Sequence, residues 1–213
     1  MEIVGSAWIH SKEKRRGDII TSFGLLAITF PALFLSSTLI FAEDYKRPFF
    51  SQNRVGQNGK LFSLYKLRTM SRIDYNNVSE GPYDERATRI GRFLRISTLD
   101  EAPQLLNIMS GKMSIVGPRP LLSVDYERMK NNLPTGIYTK WLEAVKESKP
   151  GLVSSFGIHS RTVGFRPGNS LFLRADLDIE DYEFASREHD RELKKKAIKV
   201  GKNIARNLIL GNK

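Results

Sequence analysis

The 213-residue chain contains no cysteine and only three histidines, His10, His159 and His189, which lie far apart. Disulfides, thiolate nucleophiles, iron–sulfur clusters and cysteine-containing zinc sites are therefore excluded. No histidine has a second one at helical spacing, so a paired-histidine metal motif is absent too. Any catalysis has to rest on carboxylates, hydroxyls and cations. The mean hydropathy of −0.33 is too polar for a chain that crosses a membrane several times. Acidic charge is also in short supply, with 34 Lys and Arg against 23 Asp and Glu, a net charge of +11. A pI near 9.9 points to an anionic partner: nucleic acid, anionic lipid or a phosphorylated small substrate.

One long apolar run stands against that polar background. Residues 19–42 carry no charge and are bounded by Lys14-Arg15-Arg16-Gly17-Asp18 and by Glu43-Asp44-Tyr45-Lys46-Arg47. As a straight helix the run measures about 36 Å, enough to cross a hydrocarbon core of about 30 Å. Pro31 lies near its midpoint, where it removes a backbone hydrogen bond and predicts a kink that leaves two short arms. Residues 4–18 hold four Lys and Arg and residues 43–57 hold three, so both flanks read as cytoplasmic. A helix that enters, breaks at Pro31 and returns to the same face fits both features, with Thr29, Ser36 and Ser37 available for freed backbone groups. A Pro-kinked single span fits the sequence equally well.

The remaining sequence is soluble in character. Asn58-Gly59 separates two apolar-rich runs, 48–55 and 61–70, and predicts a β-hairpin. Alternation sets Phe62, Leu64, Lys66 and Arg68 on one face of its second strand. Residues 71–85 read as a polar loop or lid. Helices are expected over 88–96 and from Asp100 to Met109, with Arg86, Arg89, Arg92 and Arg95 at a spacing of three. Pro103 places the start of the second helix near Asp100, which suits Asp100 as its N-cap. Gly117-Pro118-Arg119-Pro120 holds its backbone extended and aims one arginine. The segment 187–213 carries nine Lys and Arg against three acids, with Leu193, Ala197, Val200, Ile204 and Leu208 at helical spacing. That pattern serves a helix lying on anionic lipid or one packed on its own domain.

In their order these motifs resemble the bacterial sugar transferases, small monotopic phosphoglycosyl transferases. The resemblance runs from Lys14-Arg15-Arg16-Gly17-Asp18 and Pro31 through Pro48-Phe49-Phe50-Ser51-Gln52-Asn53-Arg54-Val55-Gly56, Lys66-Leu67-Arg68-Thr69-Met70 and Gly91-Arg92-Phe93-Leu94-Arg95. It continues with Leu99-Asp100-Glu101-Ala102-Pro103-Gln104-Leu105, Met113-Ser114-Ile115-Val116-Gly117-Pro118-Arg119-Pro120-Leu121, Pro150-Gly151 and Arg161. It departs from the family pattern at Phe30 before Pro31, where Thr29 is then expected to take the freed carbonyl, at Ala102, and at Gly157 in place of a glutamine.

The resemblance implies a helix-rich α+β fold in three parts: a basic segment with a re-entrant helix (1–42), a cytosolic catalytic domain (43–186) and a basic amphipathic helix (187–213). It implies transfer of a sugar 1-phosphate from a UDP-sugar to polyprenyl phosphate with loss of UMP, at the cytoplasmic face of the bacterial inner membrane. Asp100 is then the nucleophile and Glu101 its partner, both beside Mg²⁺, with Lys66, Arg68, Arg95, Arg119 and Arg161 on phosphate. The expected partners are the UDP-sugar, undecaprenyl phosphate and an anionic phospholipid bilayer, with no nucleic acid; a homodimer stays open. Two readings from other classes compete: a membrane-tethered nucleic-acid-binding protein, from the charge and arginine stripe, and a membrane-surface scaffold.

Overall fold

The computed structural model describes residues 4–71, 84–163 and 170–209. Most of the polar segment read as a loop or lid, residues 72–83, lies outside them. The architecture is α+β and helix-rich: nine helices and four short strands among the described residues.

A short helix α1 (Val4–Ile9) leads into α2 (Lys12–Asp44), whose 33 residues span about 50 Å. Ser11 caps α2 by accepting from the Lys14 amide at 3.0 Å, and Tyr45 ends it in the left-handed region with φ 58°. The helix runs on through Pro31. Thr29 does not take the carbonyl that Pro31 frees, which belongs to Ala27; its hydroxyl donates to Leu25 O at 2.8 Å. A helical hydroxyl reaches the carbonyl four residues before itself, and Thr29 sits two positions too early.

The burial of α2 inverts the usual amphipathic pattern. Lys14, Asp18, Ser22, Leu33, Ser36 and Ile40 form a buried stripe, and half-buried Leu26 and Thr29 bridge Ser22 to Leu33 so that its spacings are all three or four. Ile20, Phe23, Ile28, Phe30 and Phe34 on the other faces are all more than 60% exposed. The inward stripe thus carries Lys14, Asp18, Ser22 and Ser36 beside Leu33 and Ile40, while large apolar residues cover the outward faces, which is costly in water and favourable against hydrocarbon.

The polar stripe is bonded to the rest of the fold at both ends of α2. Lys14 Nζ donates to Asp190 at 2.6 Å and to Val116 O at 3.2 Å. Arg15 caps the carbonyls of Ile108 and Met109 at 2.6 and 2.8 Å, and Asp18 accepts from Ser114 Oγ at 2.7 Å and the Ile115 amide at 3.2 Å. At the far end Arg68 grips the Asp44 carboxylate through both terminal nitrogens and donates from Nε to Arg47 O at 2.9 Å. The basic flanks, expected to serve the membrane, include Lys14 and Arg15, which fasten α2 to the domain.

Strands β1 (Phe49–Val55) and β2 (Leu61–Leu67) form the expected antiparallel hairpin, with Val55 opposite Leu61. Asn58 and Gly59 both take positive φ in its turn, 57° and 72°, as Asn-Gly turns require. The inner face of β2, Phe62 and Leu64, packs on Leu105, Ile108, Met113, Ile115 and Leu193. Helix α3 (Arg89–Ser97), capped by Thr88, follows, and Gly91 lets it press on the hairpin's exit: a Cβ there would sit 2.0 Å from Thr69 O. After α4 (Gln104–Met109), strand β3 (Ser114–Val116) pairs in parallel with β4 (Gly151–Val153). A Cβ on either Gly117 or Gly151 would fall about 2.2–2.3 Å from the facing backbone, so the Gly-Pro-Arg-Pro and Pro-Gly motifs need glycine to meet.

Between these strands run α5 (Ser123–Asn132) and α6 (Thr135–Glu147), which with α8 (Ser170–Glu183) enclose Trp141 in a second core with Met129, Leu133 and Ala175. Helix α7 (Ser155–Val163) starts under an Asp181 cap, and α9 (Arg187–Ile209) closes the chain. Leu193 of α9 lies in the first core, and Ala197, Val200 and Ile204 are half-buried. The described part of that apolar stripe turns toward the protein; the Leu208 side chain lies outside the described residues. The divisions expected at 42 and 186 fall within a continuous helix and just before a core-packed one.

Candidate active site

Helix α3 stops at Thr98, a β-branched residue held at φ 64°. Such a conformation costs about 1–3 kcal/mol and persists only where its surroundings impose it. Here Arg161 of α7 donates to Thr98 Oγ1 at 2.6 Å, and Thr98 O accepts from the Glu101 amide at 3.1 Å. The strained residue redirects the chain into a 3-10 turn, Leu99–Glu101, before α4 begins at Gln104. Asp100 therefore sits inside the turn and does not cap α4, contrary to expectation. Pro103 at the capping position delays the helix by a further turn, which leaves the Asp100 carboxylate without a hydrogen bond among the described residues.

Both acidic side chains are buried, at 7% and 8% exposure. Lys66 Nζ, projecting from the inward face of β2, donates to Glu101 Oε1 at 2.9 Å, and Arg119 Nη2 lies 3.7 Å from the same oxygen. Arg95 and Arg161 add positive potential to both carboxylates. Burial pushes the Asp100 carboxyl up to about 6, against the pull of Lys66, with the adjacent Glu101 raising it further. Burial acts on Glu101 too, yet Lys66, Arg119 and Arg161 hold it well below the usual carboxylate range. Four cations around two carboxylates leave a surplus of two positive charges, suited to a diphosphate. Arg95 Nη1 is buried with no hydrogen-bond partner among the described residues.

Of the predicted residues, Lys66, Arg95, Arg119 and Arg161 are thus gathered about Asp100 and Glu101. Arg68 is placed elsewhere, on Asp44. Strand β2 ends at Leu67, so the alternation that aligned Arg68 with Lys66 no longer applies. The arginine stripe also divides: Arg86 chelates Asp84 at 2.7 and 2.9 Å, Arg95 turns to the site, and Arg89 and Arg92 are exposed.

Supporting residues escaped the sequence reading. Arg174 on α8 donates to Arg119 O at 2.8 Å, lies over the Phe156 ring and neighbours Asp178, which also accepts from Trp141 Nε1 at 3.1 Å. Arg54 reaches Pro120 O at 3.4 Å; burial and the nearby Arg119 lower its pKa to about 10. Together they hold the Pro118-Arg119-Pro120 backbone from behind. Gly157, the departure noted above, sits beside Arg119: a Cβ there would approach its Nη1 to 3.4 Å. Leu99 and Ala102, which bracket the acidic pair, pack against an apolar cluster formed by Leu33 and Ile40 of α2 with Leu67 and Leu94. One apolar cluster thus joins the turn that carries the two carboxylates to the helix whose outer face is apolar.

The chain is similar to several known bacterial proteins. The chain is 43% identical over 124 residues (57% of its length, 69% of the relative's) to a Bacillus subtilis (strain 168) protein provisionally named an undecaprenyl-phosphate N-acetylgalactosaminyl 1-phosphate transferase. It is 43% identical over 169 residues (78% of its length, 61% of the relative's) to the UDP-glucose:undecaprenyl-phosphate glucose-1-phosphate transferase of Caulobacter vibrioides. It is 32% identical over 165 residues (70% of its length) to the undecaprenyl-phosphate galactose phosphotransferase of Salmonella typhimurium, of which it spans about a third. The sequence profile described as bacterial sugar transferase matches residues 9–193, and the chain belongs to that family.

Proposed function

We propose that the protein transfers a sugar 1-phosphate from a UDP-sugar to undecaprenyl or another polyprenyl phosphate, releasing UMP, as a first membrane step of bacterial glycan assembly. The observation that carries this reading is the buried Asp100–Glu101 pair, ringed by four cations and flanked by Leu99 and Ala102, which pack on the apolar cluster that Leu33 and Ile40 of α2 share with Leu67 and Leu94. One substrate arrives from water and the other along the bilayer, and this position serves both.

In the first step an Asp100 carboxylate oxygen attacks the sugar-bearing phosphorus. A P–O bond to that phosphorus forms as the one to UMP breaks, and UMP departs with the electron pair. In the second step a phosphate oxygen of the polyprenyl phosphate attacks the same phosphorus and returns Asp100 to its carboxylate. Lys66 and Arg119 orient Glu101, while Arg95 and Arg161 offset charge as two anions meet.

Asp100 and Glu101 fit a Mg²⁺ ion of the kind completed by substrate phosphate. Among the described residues Asp100 accepts no hydrogen bond, both cation contacts of Glu101 fall on Oε1, and no group of three metal-binding side chains is present. The ion supplies charge neutralisation on the diphosphate when bound.

The same reading makes α2 a re-entrant anchor in the cytoplasmic membrane, with the catalytic residues on the cytoplasmic face. The bonds from Lys14 and Asp18 at one end and from Asp44 at the other, all to one domain, support it. The test is purified protein supplied with a panel of UDP-sugars, polyprenyl phosphate and Mg²⁺. UMP is expected with the wild type and not with Asp100→Asn; full activity in that variant overturns the reading.

A further inference from the structure

Asn107 is fully buried on α4, and its carboxamide does not point at the acidic pair. Its Nδ2 donates to Ser63 O at 2.8 Å and its Oδ1 accepts from the Tyr65 amide at 3.0 Å. Its own carbonyl accepts from the amides of Lys112 and Met113 at 3.0 and 3.2 Å. In an antiparallel pair, alternate residues direct both backbone groups away from the partner strand. Ser63 and Tyr65 are such residues of β2, and β1–β2 is a two-stranded sheet, so they lie on its open edge. The Asn107 carboxamide occupies the place of one peptide unit of a third strand.

We infer that Asn107 is a positioning residue for Lys66, setting the register of β2 against the turn that carries Asp100 and Glu101. The inference rests on the reaction proposed above. Outward peptide groups recur every second residue, so a slip to the next pair moves β2 by about 7 Å. A slip of that size separates Lys66 Nζ from Glu101, now 2.9 Å away. Glu101 and Asn107 belong to one continuous piece of chain, the 3-10 turn and α4, while Ser63, Tyr65 and Lys66 belong to another. The two pieces meet in the core, where Phe62 and Leu64 pack on Leu105 and Ile108, and at two polar contacts, the carboxamide and the ion pair; of these the carboxamide bonds fix the register that keeps the ion pair in range.

The test is a cycle of Asn107→Ala, Lys66→Ala and the double variant, in the full chain in detergent, read as kcat and donor KM for UMP release. Asn107→Ala is expected to lower kcat about tenfold to a hundredfold with little change in KM, as misplaced catalytic groups do. The double variant is expected to be within about twofold of Lys66→Ala, because the loss has already been taken. Losses that multiply overturn the inference, since a merely structural asparagine lowers both backgrounds alike. Amide exchange in the wild type needs no variant to fold: Tyr65 is expected to exchange more slowly than Ser63 on the same edge, and equal rates overturn the inference. If the wild type releases no UMP with any donor, the reaction is wrong, and the Tyr65 comparison still decides the register claim.

Discussion

Lys66 Nζ lies 2.9 Å from Glu101 Oε1, and this ion pair joins the hairpin to the turn that carries both acidic residues. Lys66→Met leaves Glu101 with Arg119, at 3.7 Å, as its one ion-pair contact within 4 Å among the described residues. UMP release is expected to fall about a hundredfold, the scale of a lost charge-stabilising donor. Initial rates at saturating donor check this, and a rate within twofold of wild type contradicts it.

Asp100 links activity to a stability cost. Its carboxyl titrates near 6 in the fold, above the ordinary 3.8, because burial disfavours the charged form. A raised carboxyl pKa means stability that is complete below the unfolded pKa and lost as pH rises through the folded one. Asp100→Asn lacks that loss, so without Mg²⁺ its advantage in unfolding free energy grows between about pH 4 and 6. It then levels off at up to about 3 kcal/mol. Thermal melts across that range test the sign; a variant less stable than wild type at pH 8 refutes it.

Lys14 and Asp190 form a buried pair, each 7% exposed. Lys14→Met strands the Asp190 carboxylate and is expected to destabilise by about 3–5 kcal/mol, whereas Lys14→Met with Asp190→Leu recovers most of the loss. Unfolding in detergent distinguishes this from simple addition of the two effects.

A cysteine-free chain lends itself to topology mapping. Single cysteines at exposed Arg16 and Lys46 are expected to react with an impermeant maleimide from the cytoplasmic side only. Labelling of the two from opposite sides of sealed vesicles establishes a single span.

Much of this architecture is local and therefore readable. Asn58-Gly59 requires left-handed backbone, and the Asp-Glu pair and the Gly-Pro-Arg-Pro segment mark the site by residue type and order. What could not be read depends on partners remote in the chain. Lys14 looks like a membrane flank until Asp190, 176 positions later, is found against it. Arg68 follows the alternation of β2 only if the strand continues, and it stops one residue earlier. Asn107 and Arg174 carry no local sign at all, because each acts on the backbone of a distant segment. The Asp100 capping expectation failed because the left-handed Thr98, held by Arg161, inserts a turn that periodicity does not contain.

The proposed reaction runs through a sugar phosphate carried by Asp100. Its most direct measurement is the intact mass of the protein after exposure to UDP-sugar and Mg²⁺ without polyprenyl phosphate. The expected result is one added sugar phosphate, mapped to Asp100, absent in Asp100→Asn and discharged when polyprenyl phosphate is supplied. An active wild type that never acquires the adduct, and that releases UMP only when both substrates are present, contradicts the account.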